Sequence, residues 1–325
     1  MRTRRRLILT LAAVPAYGWF PLAQSAEAFR VGWISLDRGA GNSSSYQSFR
    51  GGLRDLGYVE GANLVIDARW GEGSRERLAE IAGELIRSKP DVIVTQGPAI
   101  FAVLAAKDTI PIVFGFSGDP VEAGFVNSFA RPGQNCTGMS FLALELVGKR
   151  MELLKEVMPG LKRIAIIANP GHAGQQSELR ASQSAAATLG LTLEYFQVRT
   201  EAELNNALAA LPKSRSEASV VFPDAFTMAF STQIAAAASA TRIPAISGWA
   251  QFAEAGNLMS YGPNLGDCFR RLATYVDRIR KGAKPADLPV ELPSTVELVI
   301  NLKAARMLDV NVPRSVLLRA NQVIR

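Results

Sequence analysis

Short apolar runs alternate with longer amphipathic segments along the first third of the chain. Residues 30–35, 91–95 and 110–114 are almost continuously apolar, which is typical of strands buried on both faces of a parallel sheet. The segments between them carry apolar residues at helical spacing, as at Phe49 and Leu53. The alternation therefore predicts an α/β lobe whose parallel sheet is covered by helices on both faces.

A Pro- and Gly-rich joint at residues 130–134 precedes a second series of the same kind. Before the joint, the pattern predicts strands 30–35, 63–70, 91–95 and 110–114 and helices 45–56, 75–88 and 98–107. After it, the pattern predicts strands 163–168, 191–198, 219–222, 243–247 and 258–261 and helices 144–158, 174–189, 201–211, 226–240 and 267–280. The fold class that follows is α/β, with two doubly wound parallel-sheet lobes joined by a hinge and a ligand cleft between the lobes.

The predicted first lobe consists of two segments that are separated in the sequence. We assign residues 27–142 together with 259–285 to the first lobe and residues 143–258 to the second. Residues 286–325 are rich in proline and are expected to form a C-terminal tail that packs on the lobes. Within this tail, one apolar stretch leads into a helix that ends near Leu308.

The N-terminal residues 1–26 predict a secretory signal peptide. Four arginines open the segment, a short apolar stretch follows at residues 7–16, and small residues near position 26 offer more than one cleavage point. The apolar stretch is interrupted by Pro15 and is too short for a membrane span. We therefore expect the protein in the periplasm, with ordinary export favoured over the twin-arginine route.

Charge and rare residue types exclude several function classes. Removing the four arginines of the signal, which contains no acid, reduces the formal net charge from +7 to +3. No basic stripe for nucleic acid then remains. The single histidine argues against an enzyme, and no cofactor or metal site is expected. Cys136 and Cys268 are expected to be small buried side chains, with a disulfide between them as the alternative.

Candidate ligand-binding residues follow the predicted strands, because the carboxyl ends of such strands form the binding edge. In the first lobe they are Ser35, Tyr46, Gln96, Gly97, Pro98 and Ser117, and in the second lobe Asn169, Asp224, Phe226 and Trp249. A ligand carboxylate is expected at the helix start formed by Gly97 and Pro98, or at the Gly/Ser-rich loop 35–46. A ligand ring would stack among the three aromatic side chains.

Several of these residues have a structural alternative. Asp224 precedes a predicted helix, so it either pairs a ligand ammonium or caps that helix. Asp119 is expected to cap a turn, and Trp33 to lie in the core. His172 lies in a loop without a nearby acid or cysteine, and we expect it to be exposed to solvent rather than catalytic.

A family resemblance rests on motifs spread over the whole mature length. The segments are 52–61 (GLRDLGYVEG), 109–114 (TIPIVF), 118–121 (GDPV), 130–138 (ARPGQNCTG), 149–155 (KRMELLK), 258–262 (LMSYG), 282–290 (GAKPADLPV) and 298–303 (LVINLK). Together they resemble the periplasmic substrate-binding proteins of ABC transporters, in the tryptophan/tyrosine-type branch. The resemblance implies a type I periplasmic-binding-protein fold and two partners, an ABC permease and its ATPase.

The chain departs from this family at two places. Residues 133–138 read GQNCTG where family members usually have GGNVTG, and residues 95–98 read TQGP where a GTP-like run is expected. The second departure removes a hydroxyl from a position where an anionic group could lie. For this reason the ligand of relatives is not transferred to this chain.

The function predicted from the sequence is capture of a small organic ligand by hinge closure and its delivery to the permease. The expected ligand is an amino acid or an aromatic carboxylate, and the expected state is a monomer. The alternative is a periplasmic receptor subunit that reports the same ligand to a membrane sensor, since both functions use one fold.

Overall fold

The computed structural model describes residues 28–37, 43–142 and 144–325. It contains two sheets, each covered by helices on both faces. The predicted signal peptide, residues 1–26, lies outside the described residues, as does part of the loop 35–46. The sheets have five and seven strands, and helices alternate with strands in both. The predicted α/β class with two lobes is confirmed.

The first sheet is parallel throughout, with the strand order β2-β1-β3-β4-β5. Its strands are β1 (Phe29–Ser35), β2 (Leu64–Trp70), β3 (Val92–Gln96), β4 (Ile112–Phe116) and β5 (Cys136–Ser140). The helices between them are α1 (Ser44–Asp55), α2 (Arg75–Arg87) and α3 (Ala99–Ala105).

The second sheet has the order β12-β11-β10-β9-β8-β6-β7, and only the β10–β11 pair is antiparallel. Its strands are β6 (Arg163–Ala168), β7 (Thr192–Gln197), β8 (Ala218–Val221), β9 (Ala245–Ser247), β10 (Met259–Pro263), β11 (Val296–Asn301) and β12 (Gln322–Ile324). The helices that follow α3 are α4 (Glu145–Val157), α5 (Gln175–Leu189), α6 (Glu201–Ala210), α7 (Ala225–Ala229), α8 (Ser231–Thr241), α9 (Ala250–Glu254), α10 (Leu265–Arg280), α11 (Leu302–Met307) and α12 (Arg314–Leu317).

Alternate side chains of the first sheet enter two separate cores. Val31 and Trp33 of β1 pack with residues of α1 and α10, such as Phe49 and Phe269. The next residue along the strand, Ile34, packs on the opposite face with α2 and α3. Burial of each large apolar side chain contributes about 1.5–3 kcal/mol, so both layers are needed to hold the sheet.

The sheet pairing corrects the predicted assignment of the C-terminal third. Residues 259–285 were assigned to the first lobe, but β10 pairs with β9 and β11 in the second sheet, and only α10 packs on the first. The tail 286–325 likewise does not merely pack on the lobes, because β11 and β12 complete the second sheet. The apolar run at 296–302 is long enough to pair as a strand.

Two predicted elements differ from the structure for local reasons. Strand β5 was not predicted, because its sequence CTGMS lacks an apolar run. Its Gly138 has φ +150°, and a Cβ there would stand 2.0 Å from the Phe114 carbonyl oxygen of β4, so only glycine fits this close approach. The helix predicted over 226–240 is two helices, α7 and α8, which meet at Phe230.

The two cysteines agree with the prediction from the sequence. Cys136 and Cys268 are both buried, each with a free thiol, as predicted. Burial raises the pKa of the Cys136 thiol to about 11. Across the described ranges of the chain, none of the helices combines the length and the apolar character that crossing a bilayer requires.

Candidate functional site

The carboxyl ends of strands β4 and β6 meet where the two lobes touch. Ser117, just after β4, lies 2.9 Å from the His172 side chain, measured from Oγ to Nε2. The adjacent Gly118 lies so close to Ala173 that a Cβ at position 118 would stand 2.3 Å from the Ala173 carbonyl oxygen. The predicted binding edges of the two sheets therefore face each other across this contact.

His172 is not the exposed loop residue that we expected. Its imidazole is partly buried between the lobes, bonded to Ser117 and adjacent to the Phe116 ring. Burial lowers the pKa of His172, and the negative charge of Asp224 acts in the opposite direction. The expectation rested on the absence of a neighbouring acid in the sequence, but folding brings Asp224 near.

An acid of the first lobe forms the polar end of β1. Asp37 accepts a hydrogen bond from the Ser43 hydroxyl (2.7 Å) and one from the Gln96 amide (3.4 Å), and its own backbone N–H donates to Ser35 Oγ (3.3 Å). Burial raises the pKa of Asp37, and these side-chain hydrogen bonds oppose the shift. The structure thus brings Ser35 and Gln96 together around Asp37. Asp37 itself was missed, although an acid two residues beyond a buried strand signals such a position.

The helix start at Gly97 and Pro98 has the predicted form. Gly97 adopts φ +57° and donates its N–H to the Gly115 carbonyl oxygen (2.8 Å), and Pro98 is the N-cap of α3. Beside it, the Gln96 Oε1 and Thr95 Oγ1 atoms are buried without a hydrogen-bond partner among the residues that the structure describes. A ligand carboxylate at this helix start remains a prediction.

The structure does not bring the three predicted aromatic residues into one stack. Tyr46 belongs to the core of the first lobe, where its ring lies 5.2 Å from Trp33 and 5.6 Å from Trp70 between centroids. Phe226 packs on Phe230 in the second lobe, at 5.0 Å. Trp249 is 8% exposed, and its Nε1–H is buried without an acceptor in the described part of the chain.

Asp224 caps helix α7, which was one of its two predicted roles. Its Oδ1 accepts from the Thr227 backbone N–H (2.7 Å), and the Thr227 hydroxyl lies within hydrogen-bond distance of the same oxygen, in a capping box. Its Oδ2 accepts from the Asn169 amide (2.8 Å). The structure therefore places Asn169 and Asp224 together, and both carboxylate oxygens already accept hydrogen bonds.

The second lobe also buries an ion pair that the sequence analysis missed. Arg150 of α4 and Glu178 of α5 are 2% and 3% exposed, and their nearest charged atoms are 3.7 Å apart. Burial raises the pKa of Glu178 to about 7; the Arg150 charge lowers it and the Asp224 charge raises it. The two residues stand on different helices at ordinary helical positions, so their spacing gives no signal. Within the described ranges no cluster of His, Cys, Asp and Glu is suited to a metal ion.

Ser117→Ala is expected to weaken the contact between the lobes. The lost hydrogen bond to His172 contributes about 1 kcal/mol, which corresponds to an approximately fivefold rise in the population with separated lobes. Spin labels at the exposed positions Ala79 and Ala209, one on each lobe, measure this population by pulsed electron resonance. Ser128→Ala is the control, because Ser128 bonds only within its own turn. An unchanged distance distribution in Ser117→Ala would contradict the prediction.

The sequence as a whole is similar to one family of proteins. The family model described as ABC transporter substrate binding protein matches residues 36–324. Among individual relatives, a tyrosine-binding protein of Clostridioides difficile is 26% identical over 259 residues, which cover 79% of this chain and 74% of the relative.

Solved structures resemble the whole described fold. A conserved domain protein from Vibrio cholerae superposes with a TM-score of 0.84 at 29% identity, covering 91% of this chain and 100% of that one. An ABC domain from Streptococcus pneumoniae, solved in complex with L-Trp, has a TM-score of 0.84 at 26% identity and covers 92% and 100%. The resemblance extends over both lobes, so it concerns the complete two-lobed arrangement.

Proposed function

This chain belongs to the family of ABC transporter substrate binding proteins, and on that premise we propose that it captures an aromatic amino acid between its lobes. In this proposal the protein works in the periplasm as a monomer, closes on the ligand and delivers it to an ABC permease with its ATPase. The family is one of binding proteins rather than enzymes.

The proposal rests on one observation: polar side chains that follow strand β4 of the first lobe and strand β6 of the second form a hydrogen bond between the lobes. Ser117 and His172 bridge the lobes directly. At the ends of two other strands, β3 in the first lobe and β9 in the second, buried polar atoms of Gln96 and Trp249 have no partner within the described residues. Unpaired buried polar groups are costly, and a bound ligand that supplies their hydrogen bonds would remove that cost.

Two relatives support an aromatic amino acid as the ligand. One is named a tyrosine-binding protein, and another was solved with L-Trp. Trp249 is the N-cap of α9, just after strand β9, and Phe226 lies in the first turn of α7, just after strand β8. In the proposal these two rings lie on one side of the ligand, and Ser35, Gln96, Gly97 and Pro98 of the first lobe lie on the other. Tyr46 stays in the core of the first lobe.

Isothermal titration calorimetry of the protein without residues 1–26 tests the capture step. We expect L-Trp or L-Tyr to bind with a Kd below about 10 μM, a binding free energy of about −7 kcal/mol or better. L-Ala and benzoate serve as ligands that lack either the ring or the amino acid head group. No binding of any aromatic amino acid would contradict the proposal. Uptake of the labelled ligand by cells with and without the gene then tests delivery.

A further inference from the structure

The buried ion pair of the second lobe is incompletely bonded. Arg150 Nε donates to the Tyr261 carbonyl oxygen (2.9 Å), but its Nη1 has no hydrogen-bond partner among the described residues. Oε2 of Glu178 also has no hydrogen-bond partner among the described residues. The distance of 3.7 Å between Arg150 Nη1 and Glu178 Oε1 is too long for a hydrogen bond. A donor and an acceptor, both on charged groups, are thus left side by side.

A buried charged pair is stable only when its remaining hydrogen bonds are also made. The missing partners are an acceptor for Arg150 and a donor for Glu178. A carboxylate is the acceptor that best matches a guanidinium, and an ammonium is a strong donor to a carboxylate. Both occur together, a few ångströms apart, in the head group of a free amino acid.

The pair lies against the side of the second lobe that meets the first. Glu178 is in the first turn of α5 and donates its N–H to Gly174, two residues beyond His172. The Arg150 guanidinium reaches the end of β9, where a Cβ on Gly248 would stand 2.8 Å from Nη2. The Oε1 atom of Gln175, in the same turn as Glu178, is a further buried acceptor without a partner in the described ranges.

We propose that Arg150 and Glu178 form the head-group subsite of the ligand, with the ligand carboxylate on Arg150 and its ammonium on Glu178. This inference rests on the proposed function and adds the residues that select a zwitterion. Because both side chains are nine-tenths buried or more, the ligand reaches them when the lobes separate and is enclosed when they meet.

Asp224 is the competing partner for the ammonium, and the contacts favour Glu178. Both oxygens of Asp224 accept hydrogen bonds, from Thr227 and from Asn169. Glu178 instead has one oxygen without a partner among the residues described. The charge of Asp224 still contributes, since a second nearby carboxylate makes the subsite more favourable for a cation.

Calorimetric titrations with L-Trp, indole-3-propionate and tryptamine test the subsite, because the last two lack the ammonium and the carboxylate respectively. In the wild type we expect L-Trp to bind best. E178Q is expected to weaken the binding of L-Trp at least tenfold and to leave the affinity for indole-3-propionate unchanged. R150K is expected to weaken the binding of both ligands. Titrations in two buffers of different ionisation enthalpy should also show that L-Trp binding releases a proton near pH 7 in the wild type and not in E178Q.

The control variant is E291Q, which breaks the exposed Arg271–Glu291 pair of the first lobe and should leave all three affinities unchanged. Thermal melting checks that E178Q is folded, and E178D, which keeps the carboxylate, should restore proton release. The proposal is overturned if E178Q binds L-Trp like the wild type, if it loses L-Trp and indole-3-propionate equally, or if D224N alone removes the preference for an ammonium. A wild type that binds none of the three ligands instead overturns the proposed function, and the subsite falls with it.

Discussion

Gly262→Ala is expected to lower the free energy of unfolding by about 3 kcal/mol. The added Cβ would stand 1.9 Å from the Gly248 carbonyl oxygen, and its next neighbours are the carbonyl carbon and Cα of the same residue. All three are backbone atoms, so rotation of a side chain cannot relieve the overlap and β10 must shift from the end of β9. Overpacking costs about 1–3 kcal/mol, and a backbone contact places this substitution at the upper end.

Urea denaturation at 25 °C, followed by tryptophan fluorescence, measures the loss. Gly160→Ala is the matched control, because a Cβ at Gly160 meets nothing within 4 Å. We expect it to change the stability by less than about 0.5 kcal/mol. Equal stability of the two variants would show that β10 tolerates displacement and that the close approach is not needed.

Glu178→Gln is expected to remove about 3 kcal/mol of pH dependence from the stability of the protein. In the folded chain, burial raises the pKa of Glu178 from its ordinary 4.5 to about 7. Between these values the folded chain holds a proton that the unfolded chain has released, so raising the pH favours unfolding. The contribution is complete below pH 4.5 and is lost as the pH rises through 7, at about 1.36 kcal/mol for each pK unit.

The measurement is the free energy of unfolding of wild type and Glu178→Gln at pH 4.5 and at pH 8. The wild type should lose about 3 kcal/mol relative to the variant over this interval. Glu217→Gln is the control and should show little change over this interval, because backbone hydrogen bonds from Lys162 and Arg163 lower the pKa of Glu217 and its contribution is lost only as the pH falls below 4.5. A difference between wild type and Glu178→Gln that does not vary with pH would show that the folded protein does not hold this extra proton between pH 4.5 and 7.

Elements with strong apolar periodicity were predictable from the sequence, and elements defined by contacts were not. Strand β6 has the predicted bounds, because Ile164, Ile166 and Ile167 form a run that only a strand buried on both faces explains. Strand β5 consists of small and polar residues, and its pairing depends on the approach of Gly138 to β4. Strand β11 follows a Pro-rich segment, and the composition of that segment does not predict which strands β11 pairs with.

The candidate site was predictable where it follows strand ends and unpredictable where helices build it. Ser117, Asn169 and Asp224 lie at strand ends, and the structure shows them bonded across loops as their positions suggest. Arg150 and Glu178 come from the packing of α4 on α5, and nothing in a one-dimensional pattern pairs them. The core position of Tyr46 was predictable from the sequence, because Tyr46 shares with Phe49 a stripe of apolar residues at helical spacing.

Helix α10 gives the chain an unusual folding order. It completes the core of the first lobe, yet it follows strands β6 to β10 of the second sheet in the sequence. During synthesis the N-terminal strands and α1 are therefore finished long before α10, the second helix on that face, so this face remains only partly covered until α10 is made. Contacts between such distant segments also slow folding, because a long loop must close before they form. The lobes are separate in space but interdependent in folding, so a fragment that ends before α10 lacks a closed core.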